Sequence, residues 1–350
     1  VWIMAYTDID KPSDYFNTKL YTGNGGTQSI TGVGFAPNWS WIKNRTSAEG
    51  SGVFDTVRGV TKMLCSQNSD GESTTANSLT AFGSDGFSIG ANNRVNQNSN
   101  NIVSWNWKGG TSFTNDASST GIGTIDSAGS VNQDAGFSIV SYTGTASNAT
   151  VGHGLGATPK MMIIKNRSAG EGWAVYHQGI GNTNYLLLNT TAASVATAGY
   201  FNNTTPTSTV FSVGTEVKTN GDGNAMIAYC FAEKQGYSKF GSYTGNGNAD
   251  GTFVYTGFAP AFFILKRTDA TEQWLIKDNK RPGYNPNNTL YANLNNAEDT
   301  GSSVYGDFVS NGVKLRGTYN GMNASGGSYI YMAFASNPFT TSSGVPATAR

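Results

Sequence analysis

The chain has 350 residues and carries 22 Lys+Arg against 22 Asp+Glu, so its net charge is zero and the basic excess of a nucleic-acid-binding protein is excluded. Charged residues are only 13% while aromatics reach 12%, the reverse of a disordered composition; 45 glycines among many Asn, Ser and Thr point to short strands joined by tight turns. No apolar run approaches about 18 residues, which excludes a membrane-spanning helix, and two cysteines, Cys65 and Cys230, are too few for a disulfide-stapled secreted domain and are expected to stay reduced.

The start, Val1-Trp2-Ile3-Met4-Ala5-Tyr6, has no signal-peptide pattern. Met4 reads as a natural start, and residues 1–20 as an attachment segment. A first repeat is expected over residues 21–107. It opens on Tyr21-Thr22-Gly23 and continues to Gly34-Phe35-Ala36-Pro37. The apolar run Trp39 to Ile42 follows, short and nearly continuous, which fits a strand buried on both faces; it turns polar at Lys43-Asn44-Arg45. An alternating run, Gly86 to Gly90, precedes the closing run Val103-Ser104-Trp105-Asn106-Trp107, where Val103, Trp105 and Trp107 share a face. The closing run reads as a half-buried strand, and the two runs as a hairpin with a longer loop.

Residues 108–135 are rich in Gly, Ser, Thr and Asn and read as a flexible or loosely packed connector. The same markers then return in the same order. A second repeat, 136–231, carries Tyr142-Thr143-Gly144, Gly156 to Pro159, Lys165-Asn166-Arg167 and Ile227 to Phe231. A third, 232–336, carries Tyr243-Thr244-Gly245, Gly257 to Pro260, Lys266-Arg267 and Ile330 to Phe334, and a tail follows over 337–350. Each proline is followed six residues later by lysine: Lys43, Lys165 and Lys266. Repeats of about 90 residues are large enough to bury a core of their own, unlike solenoid units. The expected fold class is all-β: three tandem antiparallel β-sandwich modules of jelly-roll or lectin-like topology, as beads on a string or as three packed sandwiches.

The chemistry of enzymes is hard to place on this chain. Gly86-Phe87-Ser88-Ile89-Gly90 matches the nucleophile-elbow pattern, which needs a helix after the serine, and none is expected there. The second copy keeps the serine as Ser212, and the third has Lys314. The two histidines, His153 and His177, lack partners at triad or zinc spacing, and no calcium-loop pattern is present, so no catalytic site, no metal site and no cofactor is expected. The recurring Lys43, Lys165 and Lys266 are candidates for a ligand or partner contact, against a plain strand-end charge that guards an edge. Trp173, Tyr176 and Trp274 are candidates for stacking a sugar, against a place in the core.

The stretch from Asp10-Lys11-Pro12-Ser13-Asp14-Tyr15-Phe16 to Tyr21-Thr22-Gly23-Asn24-Gly25 resembles a family of virion proteins from marine tailed bacteriophages. So do Ile42-Lys43-Asn44-Arg45, Val57-Arg58-Gly59 with Thr61-Lys62, Asp85-Gly86-Phe87, and the end from Asn337-Pro338-Phe339 through Ala349-Arg350. The resemblance covers nearly the whole chain and brings no active site with it. It implies a β-sandwich repeat at the virion surface, assembled in the host bacterial cytoplasm. The expected function is structural: a tail-fibre or appendage subunit displaying modules for host attachment. Its expected partners are other virion proteins, further copies of itself (a homotrimer among the options) and a host surface glycan, with no nucleic acid and no membrane insertion. The rival readings are a capsid decoration protein and a polysaccharide-degrading or glycan-binding protein. The third repeat departs from the pattern, since Lys266 is followed directly by Arg267.

Overall fold

The structure, a computed structural model, describes residues 5–281, 285, 288–301 and 305–347. Met4 with the three residues before it, and Ala349-Arg350, lie outside the described residues. The described chain is all-β: antiparallel sheets with a few one-turn helices.

Each repeat builds its main sheet in one strand order. An opening strand (Phe16–Thr22, Phe137–Thr143, Ser238–Thr244) pairs with the closing strand (Asn101–Trp107, Ala225–Phe231, Ser328–Pro338). The closing strand pairs with the post-proline strand (Trp39–Asn44, Met161–Asn166, Phe258–Arg267), and that with a flanking strand (Gly52–Asp55, Ala174–His177, Trp274–Asp278). The register repeats as well: Trp107 lies opposite Trp39, Phe231 opposite Met161, and Phe334 opposite Phe262. The proline marker sets the entry to the post-proline strand, because Gly34, Gly156 and Gly257 stand at φ of 93°, 67° and 81°, a region open to glycine.

A smaller sheet covers one face of each main sheet. It is Gln28–Thr31 with Gly86–Ile89 and Leu79–Gly83 in repeat 1, Ala149–Gly152 with Val210–Val213 in repeat 2, and Phe253–Tyr255 with Gly312–Leu315 and Gly306–Val309 in repeat 3. The expected hairpin between the alternating run and the closing strand is therefore corrected. The run pairs inside the small sheet, the closing strand lies in the main sheet, and the chain crosses between layers through a one-turn helix (Asn93–Asn96, Val217–Asn220, Asn320–Asn323).

The closing strand is buried on both faces, not on one. Ile102, Met226 and Tyr329 face the layer formed with the repeat's own small sheet. Val103, Trp105 and Trp107, Ile227, Tyr229 and Phe231, and Ile330, Met332 and Phe334 all belong to one further cluster shared by the three main sheets. Its rings meet across repeats: Trp39 stacks on Tyr229 at 4.6 Å, Phe16 on Phe334 at 5.2 Å, and Trp107 meets Phe262 edge-on at 5.6 Å. Burying each such ring contributes about 1.5–3 kcal/mol over leaving it exposed. The chain is thus no string of beads, because each main sheet gives one face to its own small sheet and the other to a common core.

The segments between repeats are also ordered. Residues 108–135, expected as a loose connector, contain strands Thr111–Asn115 and Ser127–Asn132, which extend the second main sheet beyond its opening strand. Within residues 1–20, Ile9 is buried in the shared core and the Thr7 hydroxyl donates to the Gln235 carbonyl (2.8 Å). Asp10 accepts the backbone N–H of Ser342 (2.6 Å), so both end segments pack together on the body.

Candidate functional site

The three recurring lysines come together as a set, inside the molecule. Each lies at the end of its post-proline strand with no exposed surface. Lys43 donates to the carbonyls of Glu49 in its own repeat (3.3 Å) and Leu294 in repeat 3 (2.8 Å). Lys165 donates to Glu171 in its own repeat and to Ser69 in repeat 1 (2.9 Å). Lys266 donates to Arg267 and, in repeat 2, to Thr191 (3.2 Å). Repeat 1 thus holds repeat 3, repeat 3 holds repeat 2, and repeat 2 holds repeat 1, which closes a ring. Burial pushes all three ammonium groups down to about 8. They neither guard an edge nor face an outside ligand, because their N–H groups are spent on carbonyls across the repeat junctions.

Two residues beyond each lysine, a second contact repeats the ring. The carbonyls of Arg45, Arg167 and Thr268 accept the N–H groups of Glu298, Glu72 and Ser194 from the neighbouring repeat, at 2.8, 2.8 and 2.9 Å. Where the residue is arginine its side chain pairs with the glutamate, Arg45 with Glu298 at 2.7 Å and Arg167 with Glu72 at 2.9 Å. Burial works to raise both glutamates, but the arginines outweigh it and hold them below the usual carboxylate range. In repeat 3 the arginine gives way to Thr268, and the facing residue is Ser194 in place of glutamate. The missing asparagine in Lys266-Arg267 is explained too. Asn44 and Asn166 cap the strand-end turn by accepting N–H groups two and three residues on, while Arg267 pairs with Asp269 (2.7 Å).

A third set lies twelve residues after each lysine: Asp55, His177 and Asp278, all fully buried. Asp55 accepts the Tyr229 hydroxyl of repeat 2 (2.7 Å), and Asp278 accepts the Trp105 indole N–H of repeat 1 (3.0 Å). Each aspartate is neutralised by a buried arginine three residues on, Arg58 at 2.5 Å and Arg281 at 2.6 Å. At the matching place in repeat 3 stands Met332, which has no proton to donate. The facing residue there is His177, whose Nδ1 accepts from Gly179 and whose Nε2 therefore donates to the Tyr331 carbonyl (3.1 Å). Burial pushes His177 down to about 4, so it sits neutral. Ile180 takes the place of the arginine, since no charge is left to balance.

The aromatic candidates are interior as well, which removes their ring faces from any outside sugar. Trp173 donates its indole N–H to the Cys65 carbonyl of repeat 1 (2.9 Å) and Trp274 to the Leu187 carbonyl of repeat 2 (3.0 Å), while Tyr176 packs edge-on against Phe201 in its own layer. Repeat 1 has Ser51 at the tryptophan position and bridges instead through Ser66, which donates to the Ala292 carbonyl (2.6 Å). Ser88 lies in a strand beside Ser29 (3.1 Å), and His153 is buried against the Thr207 carbonyl (3.2 Å). Among the described residues no group of three or more His, Cys, Asp or Glu is placed to hold a metal.

Two recurring residues escaped the sequence reading. Asn96, Asn220 and Asn323, each eleven residues before its closing aromatic, are fully buried. Each accepts a backbone N–H from the turn after its opening strand (Asn24, Thr145, Asn246) and donates back to carbonyls there. The opening marker serves this junction. The hydroxyls of Tyr21, Tyr142 and Tyr243 donate to the one-turn helix, and a Cβ on Gly23, Gly144 or Gly245 would stand 2.2–2.3 Å from a backbone oxygen of that segment. The constant spacings, twelve to the acid or histidine and eleven from the asparagine, are the signal that could have found both sets.

Fold and clasps together define an all-β protein of three repeats closed around a common core. The chain belongs to the family described as Domain of unknown function (DUF7483), whose model matches residues 11–338, the connector and all three repeats included. No curated protein and no solved structure matches it.

Proposed function

We propose that this chain is a structural protein of a tailed-phage virion surface, a tail-fibre or appendage subunit built of three two-layer antiparallel sandwich modules and used for host attachment. One observation carries the reading. The lysine that recurs in all three repeats is spent, in each, on holding a neighbouring repeat. What the copies share is thus the means of making a stiff body. A stiff body suits display, since an interface fixed in advance loses little freedom on binding and multiple copies add avidity. The resemblance to marine-phage virion proteins supports a place on the virion surface, with other virion proteins and further copies of the chain as the partners of this reading.

The test is a cryo-electron-microscopy map of the intact particle that contains this chain, with the protein content checked by mass spectrometry. Density for the chain at the tail supports the reading. A regular place on the capsid would make it a decoration protein, and absence from purified particles would refute a virion role. Turnover of host polysaccharide by the purified chain would overturn the non-enzymatic reading.

A further inference from the structure

The three repeats serve as controls for what the fold requires. On the small-sheet strand after the opening marker, Ile30, Val151 and Val254 point inward at matching register. The two outward positions beside them are Ser29 and Thr31 in repeat 1, Thr150 and Gly152 in repeat 2, and Phe253 and Tyr255 in repeat 3. Repeat 1 leaves a polar face to water. Repeat 2 covers the face with the connector, where Ser127 donates to the Gly152 carbonyl (2.8 Å). Repeat 3 leaves two rings bare, Phe253 at 44% and Tyr255 at 55% exposure. The same fold stands on Ser and Thr at those places, so stability does not call for the rings.

The rings are held in position. A Cβ on Gly312 would lie 2.9 Å from the Phe253 ring, so the ring rests on bare backbone. Tyr255 and Tyr6 converge on Gly257, whose carbonyl accepts the Tyr6 hydroxyl (2.5 Å), and Phe339, 39% exposed, meets Tyr6 edge-on at 6.5 Å. The strip runs from the small sheet of repeat 3 onto the packed end segments. At the small-sheet end the charges cancel locally: Lys314, opposite Phe253, pairs with Asp250 at 2.8 Å, and Arg316 with Asp307 at 2.6 Å, while at the other end Tyr6 shares a groove with Asp8, Asp134 and Lys234.

We infer that the strip formed by Phe253, Tyr255, Tyr6 and Phe339 is a binding face for a neutral oligosaccharide. Ring faces accept the apolar C–H side of a sugar, and tyrosine hydroxyls at the ring edges meet its hydroxyls. The cations beside Phe253 and Tyr255 are already paired and offer an acidic ligand no free partner, which favours a neutral one at this end. Two rings on alternate residues of one strand stand about 7 Å apart, more than one sugar ring spans, which selects an oligosaccharide over a monosaccharide. The inference deepens the display reading by naming the surface and the receptor class, and rests on that reading for the biological source of the glycan.

The experiment uses the full chain and its F253S/Y255T variant, which installs the residues that repeat 1 already carries at these positions. Both are titrated with neutral hexasaccharides of glucose, mannose, galactose and N-acetylglucosamine by calorimetry and saturation-transfer NMR, with Tm and sedimentation velocity in parallel. At least one hexasaccharide is expected to bind the native chain, and the variant to bind it at least about tenfold more weakly at unchanged Tm. No binding at millimolar sugar, equal binding by both proteins, or a native dimer that the variant dissociates (the strip then covering a second copy) would each overturn the inference. Sugar binding by a chain absent from virus particles would sink the display reading and leave this one standing, and the opposite pair of results would do the reverse.

Discussion

Replacing Asp55 with alanine tests the clasp between repeats 1 and 2. The native carboxylate accepts the Arg58 backbone N–H (2.8 Å), the Arg58 Nε (2.5 Å) and the Tyr229 hydroxyl (2.7 Å), all buried. Its loss leaves a fully buried guanidinium whose remaining acid is Glu72, at 3.2 Å. Breaking a buried pair from one side costs about 3–5 kcal/mol, and the residual Glu72 contact sets this case near the lower end. The stranded Tyr229 hydroxyl adds about 1–2 kcal/mol, for a total of about 4–6 kcal/mol. Asp55→Asn keeps an acceptor for Tyr229 and should cost about half as much. Tyr229→Phe should cost about 1 kcal/mol alone but recover about 1–2 kcal/mol on top of Asp55→Ala, because it removes the stranded hydroxyl. Urea unfolding of the four proteins in a double-mutant cycle reads these values. A loss below about 1 kcal/mol for Asp55→Ala, or strict additivity with Tyr229→Phe, would refute the clasp.

Other predictions follow from the same contacts. Lys165→Met strands the Ser69 and Glu171 carbonyls and should cost about 2–4 kcal/mol by urea unfolding, with Lys43→Met and Lys266→Met falling in the same range if the ring is closed. Gly144→Ala drives a Cβ to 2.2 Å from the Gly221 carbonyl oxygen and should lower stability by about 2–3 kcal/mol, where an open glycine such as Gly181 would show little clash cost. Acid should destabilise the chain in two stages. His153 and His177, held near 4 by burial, stay neutral in the folded chain while the unfolded chain takes up protons near 6.5, so stability falls as pH drops through that window. Glu72 and Glu298, held low by their arginines against the effect of burial, contribute above about 4.5 and lose that contribution as pH falls through their folded values. His177→Gln, which keeps a donor for the Tyr331 carbonyl, should flatten the upper stage in a pH series of denaturation midpoints; an unchanged slope would contradict it.

What could be read from the sequence depended on where each signal originates. The post-proline strands were legible because Trp39 to Ile42, Met161 to Ile164 and Phe262 to Leu265 are continuous apolar runs, and all are buried on both faces. The closing strands showed which residues share a face, yet not that the other face is buried too. Ser104, Asn106, Ala228 and Cys230 look like a solvent face but lie fully buried, and Ser40 donates to Asn106 at 2.8 Å beneath repeat 1. Alternation reports a face and not its neighbour, so the shared core was invisible in the pattern. The crossing between layers was missed because it rests on one buried asparagine in a single helical turn, too short for any periodicity. The recurring lysines were found by spacing, but their partners, the carbonyls of Leu294, Ser69 and Thr191, leave no trace in side-chain identity.

Differential scanning calorimetry of the full chain tests most directly whether the repeats form one body. A ring of clasps around a common core predicts one transition, with van't Hoff and calorimetric enthalpies that agree. Three successive transitions, or a van't Hoff enthalpy of about one third of the calorimetric value, would mean that the repeats unfold as independent units, and the account would be contradicted.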